Sequence, residues 1–162
     1  MRSNYTEYKG LVRMSKTNKA TRKLPPANDW QARNINDWNV TTFHAYLADK
    51  HREMFGCEYV PFRGWQAEKG MIGRLIGTQT KKGTHDKAMI KRFIDEAFKT
   101  YKPTKEFPGT SFGFIYSYRR QILQRLEAEE SRKQVEKERA EKAEDWAKEN
   151  SDRLDEDLAE WF

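Results

Sequence analysis

The pentapeptide Tyr116-Ser117-Tyr118-Arg119-Arg120 interleaves phenol rings with guanidinium groups. Rings stack on nucleobases and guanidinium groups neutralise phosphates, so this pattern suits a nucleic-acid strand. Lys81, Lys82 and Lys87 sit in and just after a polar glycine-bounded stretch, Gly77 to Gly83, and would add phosphate contacts. A competing reading buries Tyr116 with Phe112 in a core and leaves the arginines solvated. Catalytic constellations are missing. Gly77 to Thr84 lacks the Gly-Lys-Ser/Thr order of a phosphate-binding loop. Gly70-Met71-Ile72-Gly73 carries the glycines of an RNA-binding loop around an apolar middle that belongs in a core. Asp95-Glu96 is a lone acidic pair, and His44 and His51 lack a third partner. With the single Cys57 and three histidines, neither an internal disulfide nor a zinc-ligand spacing can be assembled. The expectation is a protein that is not an enzyme and needs no metal or cofactor, a nuclease being the weakest rival.

The other chemically distinctive stretch is the last thirteen residues, 150–162, which are acidic and finish on Trp161-Phe162. Leu154, Leu158 and Trp161 fall at i, i+4 and i+7, so a helical turn gathers them on one face with the carboxylates outside. Apolar anchors and steering acids are the makings of a docking peptide. Asp155 to Phe162 resembles the sliding-clamp-binding peptides of replication proteins, in which an aliphatic residue is followed after two positions by an aromatic pair. Leu158 matches the aliphatic position and Trp161-Phe162 the pair, while Asp155 stands where that family usually has Gln. The tip is also similar to the acidic tails of single-strand-binding proteins and to the clamp-tethering ends of phage late-transcription factors. The resemblance implies a phage-type accessory factor of replication or transcription. Its partners would be DNA and a sliding clamp, or another replisome or RNA polymerase component. The alternatives are an adaptor that binds only proteins, and a tail that folds back over its own basic domain.

Charge is distributed to match. Residues 1–29 carry a net +5, residues 30–123 +7 and residues 124–162 −6, which accounts for the overall +6. The first segment reads as a basic flexible arm closing on Pro25-Pro26, residues 30–123 as a helical basic domain, 124–149 as a charged helical spacer and 150–162 as an acidic docking tail. Apolar residues make up 36% and charged ones 35% of the chain, yet aromatics reach 13%, so a small aromatic core is diluted by polar extensions. No apolar run is long enough for a membrane span and none marks a signal peptide, which points to a soluble, cytoplasmic protein with no membrane partner. With no apolar a/d seam in the charged helix, a monomer is expected.

Positioning these groups falls to a mainly α fold of about four helices followed by the long charged one. Thr41 or Thr42 caps a first helix with Phe43, Tyr46, Leu47, Met54 and Phe55 inward, ending at Gly56. A second, Trp65 to Ile76, turns Trp65, Met71, Ile72, Leu75 and Ile76 inward, and Gly70 and Gly73 suggest close packing. Thr84 caps a third, with Met89, Ile90, Phe93, Ile94, Ala97, Phe98 and Tyr101 on its apolar face, stopped by Pro103. The second and third form a possible helix-turn-helix-like pair across a seven-residue loop. A fourth, Ser111 to Leu126, contributes Phe112, Ile115, Ile122, Leu123 and Leu126.

Overall fold

Asn39 opens the first helix, α1 (Val40–Phe55): its side chain accepts the Thr42 N–H at 3.0 Å, and its own N–H donates to Thr42 Oγ1 at 3.3 Å. Thr42 is therefore the third helical residue and not the cap, because the reciprocal bonds satisfy two end groups at once. The computed structural model describes residues 23–161. They are mainly helical, with α2 (Trp65–Ile76), α3 (Lys87–Thr100), α4 (Phe112–Tyr118) and α5 (Arg120–Glu160) following α1. Among the described residues there is no strand, only an isolated bridge between Gly77 and Lys82.

Helix α3 is the centre of the body and packs on each of the other four helices. Ile90, Phe93, Ile94, Ala97 and Phe98 are buried against Phe43, Tyr46 and Leu47 of α1 and Ile72, Leu75 and Ile76 of α2. Phe112 and Ile115 of α4 and Ile122, Leu123 and Leu126 of α5 close the core. Two side chains expected inside are exposed in part: Met54 by 44% and Trp65 by 46%. Phe55, against Phe98 and Tyr101, makes the core contact at the level of Met54. Trp65 stands at the first turn of α2 with its ring edge on His44 and Tyr59. Gly73 abuts Thr78 and Val40, whereas the space beside Gly70 is open.

The α2–α3 connection runs over residues 77–86, three longer than the sequence reading, since Thr84 does not cap α3. The His85 N–H donates to Leu75 O at 2.9 Å, which holds the loop against the end of α2 and defers the cap to Asp86. Gly83 passes so near the backbone of Leu75 to Gly77 that a Cβ there would collide with it. Ten residues between helices is far from the three- or four-residue turn of a helix-turn-helix motif.

The single helix expected over Ser111–Leu126 breaks at Arg119, whose φ and ψ are −120° and 26°. Ser111 caps α4, and the Ser117 hydroxyl donates back to Gly113 O at 2.7 Å, a bond that competes with the helical ladder. The break lets both short apolar runs reach the core at different angles. Glu68 fixes the start of α4 from inside. Its fully buried carboxylate accepts from the Tyr59 hydroxyl, the Phe62 N–H (3.0 Å) and the Gly113 N–H (3.2 Å), and Tyr59 in turn accepts the Phe112 N–H at 2.8 Å. Burial pushes the Glu68 carboxyl above its ordinary range against the pull of those donors. His44 Nε2 lies 3.9 Å from the carboxylate, buried and without a hydrogen-bond partner. Burial, with Lys69 nearby, lowers this imidazole to about 4, so it is neutral near pH 7.

Helix α5 has 41 residues, about 60 Å of continuous helix, and crosses positions 124 and 150 without interruption. Its first turns bury Ile122, Leu123 and Leu126 and are clamped to α3 by Arg92 with Glu129 (2.6 Å) and Arg125 with Glu96. The hydrogen bond from Arg92 holds the Glu129 carboxyl below the usual range. His85 joins Glu127 at 2.6 Å. From Val135 to Trp161 every residue is exposed except Asn150, which is half-buried. At the other end, residues 1–22 of the expected arm lie outside the described residues. Its last part is held at Pro25, whose carbonyl accepts from Arg33 Nε, and just beyond it the 3-10 turn Ile35–Asp37 packs on α3.

Candidate nucleic-acid and partner-docking surfaces

The break at Arg119 determines how the tyrosine–arginine stretch is displayed. Tyr116 points inward: its ring stacks nearly parallel on buried Phe112 (centroids 6.0 Å apart) and carries the Arg120 guanidinium 5.3 Å from its centroid. Tyr118 is 64% exposed, leaning on Phe114 at 4.8 Å, and Arg120 is exposed beside half-buried Arg119. Three of the four side chains thus present one ring and two cations outward, while Tyr116 serves the core.

The lysines lie elsewhere. Lys81 and Lys82 are exposed on the α2–α3 loop, and Lys87 Nζ donates to Asn36 O at 2.7 Å. Lys82 and Lys87 line an open groove together with Asp86, Glu127 and Glu130, so its charge is mixed. Glu127 is seven residues beyond Arg120 on α5, roughly 10 Å along the axis, and neither Arg119 nor Arg120 lines this groove. Three further cations are engaged by acids: Lys91 by Asp95 at 2.8 Å, and Arg92 and Arg125 by Glu96 and Glu129.

At the far end, Leu154, Leu158 and Trp161 are 62%, 57% and 87% exposed on a helix that continues to Glu160. Phe162, the last expected anchor, lies outside the described residues. Trp146, which sequence reading passed over, is 69% exposed eight residues before Leu154 and falls within the same broad stripe. Its periodicity with the tip is the signal that could have found it.

Sequence reasoning also missed an apolar groove of about 640 Å³ between residues 57–62 and 101–111, walled by Phe62, Phe107 and Phe114 over His51. Phe107 and Val60 on its rim are 66% and 74% exposed, and the buried Thr110 hydroxyl in its lining has no hydrogen-bond partner. Among the described residues no three His, Cys, Asp or Glu side chains form a group able to hold a metal ion, and no helix is long and apolar enough to cross a membrane. The chain matches no known protein family, no curated protein and no solved structure.

Proposed function

We propose that the protein is a two-ended accessory factor of a DNA replication or transcription machine, of the phage type its tail resembles. The basic body binds DNA, and the tip of α5 docks on a sliding clamp or an RNA polymerase component. The observation that carries this reading is the tip itself, with Leu154, Leu158 and Trp161 exposed at the end of a helix whose last 27 described residues leave the body. Apolar groups held away from their own core are suited to bury in a partner. For the DNA half, Tyr118, Arg119, Arg120, Lys81 and Lys82 supply a ring for stacking and cations for phosphates.

A second reading, an adaptor between proteins, is favoured by one feature: the groove beside Lys82 and Lys87 shares its walls with three acids. Anisotropy of labelled single- and double-stranded oligonucleotides across a salt series separates the two. DNA binding predicts affinity falling steeply with salt, a logarithmic slope of about −2 to −4 for the few cations available. It also predicts loss of affinity in Arg119→Ala/Arg120→Ala and no loss when residues 158–162 are deleted. Absent or salt-independent binding leaves the adaptor.

A further inference from the structure

We infer that the tip of α5 in one copy seats in the groove between residues 57–62 and 101–111 of a second copy. The chain carries two unpartnered apolar surfaces. One is the stripe of Trp146, Leu154, Leu158 and Trp161; the other is the groove with Phe107 and Val60 standing out on its rim. At about 640 Å³ the groove has the size of a site for a group larger than one side chain.

Charge selects among occupants. Residues 144–161 hold eight acids and two bases, a net −6, whereas residues 30–123 hold +7. Pairing the tip with another tip would bring two such segments within a Debye length, about 10 Å at 0.1 M salt, and is repelled. Docking on the body is attracted by its net +7: Lys102 lines the groove with Glu58 and Glu106, Arg63 and Lys105 adjoin lining residues in the chain, and the Arg63 guanidinium lies 5.2 Å from the centroid of the Phe62 ring that walls it. The tip cannot reach the groove of its own chain. No Gly or Pro interrupts α5 beyond Arg125, so a turn back to the body would break several helical hydrogen bonds. The contact is therefore between chains, tip into groove, an arrangement that two copies satisfy by reciprocal exchange and more than two by head-to-tail association.

Light scattering on the full-length chain tests this without DNA or any foreign protein, so its failure is separable from failure of the proposed function. The expected mass exceeds the 19.3 kDa of one chain, rises with protein concentration and falls as salt is added. Trp161→Ala removes the most exposed anchor of the tip and Phe107→Asp spoils the groove rim. Both side chains are exposed, so far-UV circular dichroism and melting should match the unsubstituted chain. Each variant alone is expected to be monomeric, while a 1:1 mixture forms a species of twice the chain mass, since one variant keeps its groove and the other its tip. A chain carrying both substitutions stays monomeric. Persistent association of either single variant, a mixture that stays monomeric, or an unsubstituted chain that is monomeric at every concentration overturns the proposal.

Discussion

Glu68 shows what a single residue decides in this molecule. A carboxylate without solvent is tolerable only where donors meet its oxygens, and here Tyr59, Phe62 and Gly113 do so from two other segments. Glu68→Ala would orphan two backbone N–H groups and a hydroxyl, and urea unfolding should register a loss of about 3 kcal/mol or more. Tyr59→Phe leaves the Phe112 N–H without its acceptor, for about 1–2 kcal/mol. His44 gives a pH signature. Its folded value, about 4, lies below the 6.5 of a free imidazole, so on acidification the unfolded chain takes up this proton first. The stability it contributes is whole above pH 6.5 and is lost as pH falls towards 4, a difference on the order of 3 kcal/mol. Glu68 moves oppositely: raised in the fold, it is eased by acid. His44→Phe, which keeps a ring against Trp65, should flatten the unfolding curve between pH 6.5 and 5; an unchanged slope would dismiss this role for His44. None of this was legible locally, because a glutamate among helix formers reads as a solvated face. Its burial follows from donors up to 45 residues away.

At the level of elements, the five helices follow apolar periodicity closely, and the bounds of α2 coincide with those read from sequence, Trp65 to Ile76. The departures share one cause, competition from side-chain and backbone hydrogen bonds that periodicity does not encode. Asn39 outbids the threonines as a cap, the His85 N–H delays α3, and the Ser117 bond accompanies the break that separates α4 from α5. Helix α5 divides into a part that belongs to the core and a part that does not. A chain ending after Gln134 keeps Ile122, Leu123, Leu126 and the Arg92–Glu129 and Arg125–Glu96 pairs, so its melting temperature should match the full chain within about 2 °C. Ending after Arg119 should unfold the body. Glu141→Pro, in the exposed part, should lower helical ellipticity with melting of the body unchanged. A body destabilised by either distal change would mean that α5 contributes contacts beyond its first turns.

For the molecule as a whole, composition already separated a basic front from an acidic rear, and the long helix turns that separation into distance. Of the side chains the sequence singled out, Tyr118, Arg120, Lys81 and Lys82 on the body and Leu154, Leu158 and Trp161 on the tip are exposed, and two placements differ from the sequence reading. Tyr116 belongs to the core, since its spacing from Phe112 serves packing as well as stacking, and Trp146 joins the tip. What a linear reading could not supply is that Lys82 and Lys87 share a groove with Glu127 and Glu130 of α5 and not with the arginine pair, because that depends on how α2, α3 and α5 pack. The proposed function makes the molecule a bridge between DNA and a partner protein, and a bridging assay addresses that proposal directly. Sliding clamp is immobilised, the full-length chain and labelled DNA are added at low salt, and retained label is read. The account predicts label held on the surface only when the chain is present, abolished by deleting residues 158–162 and strongly reduced by Arg119→Ala/Arg120→Ala. Label retained equally without the last five residues would contradict it.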